Sequence, residues 1–341
     1  MTLEHDLIKR YFAPLCSRSN EAPAFGLEDD TALLKPGPSD DLLITMDALV
    51  AGIHFFPDDP PKAIAHKALA VNVSDIVAKG GLPASYLMTI ALPPHVEADW
   101  LCEFARGLQA AQDGFACQLI GGDTVSTSGP LMISITLLGE VACGKMVRRK
   151  GARPGDIVFV SGTIGDAALG LLLRTNDQRM VKARLDKAQI NHLLERYLYP
   201  RPRLELAPLI ASHASAAMDI SDGLMGDFAK LCAVSGVGGV VEAARVPLVD
   251  AATSALAQVP DLLETVLGGG DDYEILFTVA ASQAAEFEKH AGNGTVTRIG
   301  KITARAEGVK ALDAQGQALD LAQSAFDHFA DTKGPEPLSS E

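Results

Sequence analysis

The residues best suited to chemistry in this chain are acids set in apolar or glycine-rich surroundings. Asp30, Asp47, Asp75, Asp123, Asp219, Asp222, Asp271 and Asp272 all have such neighbours, whereas carboxylates ordinarily sit on polar faces. Asp47, Asp123, Asp219 and Asp271 come just after strand-like runs or at Gly-rich turns, the crevice where α/β sheets bind ligands. Asp75 falls in the last turn of a helical run, the end that repels anions, with Asn72 three residues earlier on the same face. A bound cation would account for both. Asp29-Asp30 and Asp271-Asp272 are adjacent like charges, costly unless solvated or metal-bound. Oxygen ligands without clustered Cys or His favour a hard cation, Mg²⁺ or Ca²⁺, and no EF-hand spacing is present. Structural alternatives stay open. Asp222 beside Ser221 suits a helix start, Asp123 in Ile120-Gly-Gly-Asp-Thr124 suits a turn, and Asp40-Asp41 and Asp58-Asp59 read as loop.

These acids need elements to hold them, and strand-like and helix-like segments interleave along the chain, which predicts a mixed α/β (α+β) architecture. Leu42 to Met46, Tyr86 to Leu92, Gln118 to Ile120 and Leu131 to Leu138 read as strands. Pro61 to Lys79 reads as a helix capped by Asp59 and ended by Gly80-Gly81, and Val96 to Gly114 as a second. The polar passage Arg148 to Gly155 places a boundary between residues 1–147 and 148–330, with a disordered tail over 331–341. Beyond it, strand Asp156 to Val160 leads through Ser161-Gly-Thr-Ile-Gly165 to a helix at Asp166 to Arg174, and strand Ala216 to Ile220 leads to a helix from Ser221 to Val234.

Two phosphate-binding candidates emerge. Gly139-Glu-Val-Ala-Cys-Gly-Lys-Met146 matches the glycine and lysine spacing of a phosphate loop, but Met146 stands where a Mg²⁺-binding Ser or Thr is required and no helix follows. Ser161 to Gly165 lies between strand and helix, where backbone N–H groups could meet phosphate or simply form a tight turn. Arg148, Arg149, Lys150 and Arg153 form a concentrated positive cluster able to clamp phosphate or to serve as a solvated linker.

The chain has 341 residues, with 29 Lys and Arg against 43 Asp and Glu, a net charge of −14. That balance argues against nucleic acid or an anionic membrane as the principal partner. Cys16, Cys102, Cys117, Cys143 and Cys232 form no C-x-x-C pair, which fits a reducing cytoplasm. The N-terminus carries acids where a signal peptide needs a basic start, and no apolar stretch reaches membrane-spanning length.

Asp29-Asp30-Thr-Ala-Leu33, Thr45-Met-Asp47 with Gly52-Ile-His54-Phe55, Lys67-Ala-Leu-Ala-Val-Asn-Val-Ser-Asp75, Ile120-Gly-Gly-Asp-Thr124, Gly151-Ala-Arg-Pro-Gly-Asp156, Asp219-Ile-Ser-Asp-Gly-Leu224, Gly269-Gly-Asp-Asp-Tyr-Glu274 and Phe326-Asp-His-Phe329 occur in that order. Together they closely resemble the thiamine-monophosphate kinase family, of the superfamily that includes aminoimidazole-ribonucleotide synthetase and selenophosphate synthetase. The resemblance implies a two-domain fold whose N-terminal sheet pairs in a homodimer. It also implies ATP-dependent, Mg²⁺-assisted in-line phosphorylation of thiamine monophosphate to thiamine diphosphate, the final step of thiamine diphosphate biosynthesis. Carried onto this sequence, Asp30, Thr45, Met46 (through its carbonyl), Asp47, Asp75, Asp123, Asp219 and Asp222 look like the shell of several Mg²⁺ ions. Gly122, Asp123, Arg149 and Ser221 look like ATP contacts, and His54, Asp271 and Phe326 like thiamine contacts. The sequence departs from the family pattern at Glu28, where a Gly is usual, at Met46 in place of Thr, and at Asp271 in place of Glu.

The inventory of residues is compatible with that chemistry. A phosphate monoester has a second pKa of about 6, so the acceptor is already a dianionic nucleophile at neutral pH. No general base is needed, and catalysis reduces to positioning and charge neutralisation. The alternatives are a sister ATP-dependent enzyme acting on another acceptor and a non-catalytic divalent-metal-binding protein.

Overall fold

The computed structural model describes residues 8–15, 37–292 and 294–321. Asp30, Phe326 and the 331–341 tail therefore lie outside the described residues. The first sheet contains β1 (Asp40–Val50), β2 (Leu82–Leu92), β3 (Gln118–Ser126) and β4 (Met132–Ala142) in the order β1-β4-β2-β3. β2 and β3 run parallel; the other pairings are antiparallel. Its helices are α1 (Pro61–Ala78) and α2 (Ala98–Phe115). The second sheet contains β5 (Ile157–Ser161), β6 (Ala214–Asp219), β7 (Gly238–Glu242), β8 (Ile275–Val279), β9 (Val296–Thr303) and β10 (Val309–Leu312) in the order β10-β7-β9-β5-β8-β6. Around it lie α3 (Asp166–Arg174), α4 (Gln178–Ala183), α5 (Lys187–Leu198), α6 (Ala207–His213), α7 (Leu224–Ser235), α8 (Asp250–Gln258), α9 (Leu262–Gly268) and α10 (Ala284–Ala291).

Period-two alternation explains the second sheet. Ile157 and Phe159 of β5 join the large core shared with the first sheet, while Val158 and Val160 face a second core against α7. Covered on both faces, β5 is buried at every position. The first sheet differs. One face lies under α1, and the other exposes Ile44 and Met46 (both 65%), Leu82 (48%), Val125 (42%) and Leu87 (39%).

α1 is the shared element, packed on β1, β2 and β4 on one side and on β6 and β8 on the other. It is therefore buried nearly all round rather than along one stripe, and carries Lys67, Asn72 and Ser74 into the interior. The expected cap is not formed. Pro60 precedes the helix without a side-chain cap, because Asp59 instead accepts from the Phe56 N–H (2.8 Å) and Arg174 Nε (3.0 Å).

Candidate active site

The last turns of α1 bring the first acids together. The Thr45 hydroxyl donates to Asp75 Oδ2 at 2.6 Å, and the Asp47 N–H donates to Asn72 Oδ1 at 3.0 Å, locking β1 to the helix. β1 alternates, so Thr45 and Asp47 share the helix-facing side while Met46 faces outward. Asp219 ends β6 on the opposite flank of α1. Burial and the neighbouring Asp75 raise its pKa well above the usual carboxylate range. Asp47 is pushed up to about 6 by burial, then by the charges of Asp75 and Asp222. These carboxylates thus act on one another as like charges in one partly buried region.

Two loops close over them. The Asp271 N–H donates to the Ser221 carbonyl (2.9 Å), the Tyr273 N–H to the Ile220 carbonyl (2.9 Å), and the Ile220 N–H to the Glu274 carbonyl (2.8 Å). A side chain at Gly270 would place its Cβ 2.1 Å from the Ser221 carbonyl oxygen, so the glycine permits the approach. The helix expected from Ser221 begins at Leu224. Gly223 precedes it at φ +112°, and Asp227 Oδ2 accepts from the N–H groups of Ser221 and Asp222, both at 3.0 Å. Ser221 is thus held in the loop rather than capping α7. Lys230 bridges Asp222 and Asp227.

Asp271 (φ +71°) and Tyr273 (φ +50°) are non-glycine residues in left-handed conformations, strain of a kind that collects at functional sites. Lys67 Nζ donates to Asp271 Oδ2 (2.7 Å) and to the His54 carbonyl (3.1 Å), and the Tyr273 hydroxyl donates to Asp271 Oδ1 (3.2 Å). Burial and the charges of Asp271, Asp219 and Asp47 raise the Tyr273 pKa well above its ordinary value. One phenol therefore stands between the proposed metal-binding and thiamine-binding acids.

The neighbouring acid behaves differently. Asp272 is buried and accepts from the N–H groups of Gly165 (2.7 Å) and Ala167 (3.3 Å) at the start of α3. With the Gly162 and Ile164 N–H groups bonded to the Thr295 and Pro247 carbonyls, three N–H groups of Ser161–Gly165 are already engaged within the fold, which favours the tight-turn alternative for this segment. Glu274, fully buried, accepts from Ser161 Oγ (2.6 Å), Arg196 (3.0 Å) and Arg203 (2.6 and 2.7 Å).

Arg149 is exposed beside this region. The Arg148 carbonyl accepts from the Ala217 N–H of β6, and Arg149 together with burial bears on Lys79, whose pKa is lowered chiefly by burial. Gly122 and Asp123 lie elsewhere in the same chain. They occupy the exposed edge strand β3, three strand steps, roughly 14 Å, from β1. Asp123 aligns through Thr89 and Ser134 with Ala48, so it points to the open face and away from Asp47. A side chain at Gly122 would place its Cβ 1.9 Å from the Met88 carbonyl oxygen.

Among the described residues, no three His, Cys, Asp or Glu side chains are already gathered closely enough to hold a metal ion. The donor chemistry nevertheless fits a hard divalent cation: carboxylates and a hydroxyl, two of the carboxylates raised in pKa by burial and by the charge of Asp75. Lys67, Lys79, Asp227, Lys230 and Tyr273 were given no role from the sequence. Lys67 and Lys230 are signalled by a charge inside an apolar run, whereas Tyr273 is signalled only by its place in the Gly269–Glu274 motif.

Residues 28–141 match the AIR synthase related protein, N-terminal domain family, and residues 153–312 its C-terminal domain counterpart. The thiamine-monophosphate kinase of Caulobacter vibrioides is 39% identical over 315 residues, 90% of this chain and 86% of its own length. The chain belongs to the thiamine-monophosphate kinase family. A crystal structure of a family member from Stenotrophomonas maltophilia K279a superposes with a TM-score of 0.76 at 38% identity, covering 86% of this chain and 91% of that one. A ThiL structure complexed with AMPPCP and TMP superposes with a TM-score of 0.74 at 34% identity, covering 88% of this chain and 91% of that one.

Proposed function

We propose that this member of the thiamine-monophosphate kinase family transfers the γ-phosphoryl group of ATP to the phosphate of thiamine monophosphate, giving thiamine diphosphate and ADP. The observation that carries this reading is the convergence of Thr45, Asp47, Asp75, Asp219 and Asp222 with the Lys67–Asp271–His54 contacts around Tyr273. One side suits cation-bridged phosphates; the other offers a carboxylate and aromatic surface to a cationic heterocycle. The ThiL relative was solved with an ATP analogue and TMP, which supports the same pair of substrates here.

In this reading Asp30, Thr45, the Met46 carbonyl, Asp47, Asp75, Asp123, Asp219 and Asp222 hold Mg²⁺. Gly122, Asp123, Arg149 and Ser221 hold the nucleotide, and His54, Asp271 and Phe326 hold the thiamine moiety. Mg²⁺ supplies the positive charge that lets carboxylates and phosphates share one site. The protein then has to align donor and acceptor in line and exclude water.

The open apolar face of the first sheet supports a homodimer. Packing two copies face to face about an axis along the strands sets the β3 edge of one beside the β1 edge of the other. That arrangement brings Gly122 and Asp123 of a second copy toward Met46 and Asp47. ATP as co-substrate and the absence of C-x-x-C cysteine pairs support a cytoplasmic location.

The test is incubation of the purified protein with ATP, Mg²⁺ and thiamine monophosphate, with free thiamine and aminoimidazole precursors as control acceptors. Thiamine diphosphate is expected with thiamine monophosphate alone. Its absence would sink the reading.

A further inference from the structure

Lys67 is 3% exposed, yet it sits in α1 among Ala63, Ile64, Ala68 and Val71. An ammonium group is buried only where charge and hydrogen bonds compensate the lost water. Here the compensation comes from separate parts of the chain. Nζ donates to Asp271 Oδ2 at 2.7 Å and to the His54 carbonyl at 3.1 Å, and lies 4.3 Å from the ring centroid of Tyr197 on α5. Two of these three partners belong to residues already assigned to the thiamine moiety. Asp271 itself stands at φ +71° and takes a second hydrogen bond on Oδ1 from Tyr273. Each carboxylate oxygen thus has one fixed donor, while the side chain remains 28% exposed and keeps acceptor capacity for a ligand.

We propose that Lys67 is a positioning residue for the thiamine site, holding the Asp271 carboxylate and the His54 loop in one geometry from the helix that both sheets share. This rests on the proposed function. It also bears on the family departure at position 271: with one methylene fewer than glutamate, Asp271 reaches less far, and Lys67 fixes where that shorter carboxylate ends.

The test uses the full-length Lys67→Met variant, which keeps much of the volume and removes the charge. Its KM for thiamine monophosphate should rise about tenfold or more, while its kcat changes less than about threefold and its KM for ATP stays within about twofold. Lys67→Arg should recover part of the loss. The double variant Lys67→Met/Asp271→Asn should be no worse than Asp271→Asn alone, because Lys67 acts through that carboxylate. An unchanged KM for thiamine monophosphate overturns the proposal. So does a parallel rise in both KM values with a lowered melting temperature, or a double-variant penalty equal to the product of the single ones. Calorimetric binding of thiamine monophosphate without ATP judges Lys67 separately from catalysis, and equal affinity in wild type and Lys67→Met overturns it. Absence of turnover by the wild type overturns the functional reading instead.

Discussion

Asp47→Asn separates a carboxylate kept for a cation from one kept for the fold, because the two roles predict stability changes of opposite sign. Burial, Asp75 and Asp222 raise the Asp47 pKa from 3.8 to about 6. The metal-free folded state therefore binds more protons than the unfolded state between those values, and its stability falls as pH rises through that window. Above pH 6 the cost is complete. A shift of that size corresponds to roughly 3 kcal/mol, which Asp47's partial exposure discounts to about 1–2 kcal/mol. Asparagine is nearly isosteric and leaves the Asp47 N–H bond to Asn72 in place. In EDTA at pH 8 the variant should therefore melt higher than wild type, by roughly 2–6 °C. At pH 4 most of the difference should be gone. With Mg²⁺ the order should reverse, since wild type gains stability by binding the ion and the variant loses most of that gain together with turnover. Differential scanning fluorimetry at both pH values, with EDTA and with Mg²⁺, reads all four conditions. A variant that melts lower than wild type in EDTA at pH 8, with its Mg²⁺ response intact, would refute the reasoning.

Other perturbations probe the supports. Glu274→Ala leaves Arg196 and Arg203 without their shared buried partner and should destabilise the protein by about 3–5 kcal/mol, measured by denaturant unfolding. Gly122→Ala forces a Cβ to within 1.9 Å of the Met88 carbonyl oxygen; it should cost about 1–3 kcal/mol and disturb the β3 edge, seen as a lower melting temperature and a raised KM for ATP. Ile44→Asp puts a charge on the open face where Ile44 is 65% exposed; light scattering should show a dimer converted to monomer, with thermal stability of the monomer little changed. An unaltered mass would remove that face from the dimer contact.

Local pattern made the strands and α1 legible, because burial periodicity is written in neighbouring residues. Of the acids expected just after strands or at turns, Asp219 does end β6, whereas Asp47 and Asp123 lie inside β1 and β3, which pairing with β4 and β2 carries past them. The capping expectations failed where another contact intervened. Asp59 is drawn to the distant Arg174, and Asp227, within α7 itself, accepts from the Ser221 and Asp222 N–H groups and holds them in the loop ahead of the helix. Between the two readings of Ser161–Gly165, the tight turn is favoured by a partner no local pattern reveals: Asp272, more than one hundred residues away, accepts from Gly165 at 107 and from Ala167 at 105 positions' separation.

The sequence by itself determined, through the order of its motifs, the family, and it singled out carboxylates set in apolar or glycine-rich surroundings. Tertiary structure decided how they divide. It set Asp47, Asp75, Asp219 and Asp222 in one electrostatic field, turned Asp271 toward Lys67 and Asp272 into a helix cap, and left Asp123 on the far edge of the sheet. Adjacent acids such as Asp271 and Asp272 have the same chemistry in the chain; only the partners that folding brings from α1 and α3 give them different work.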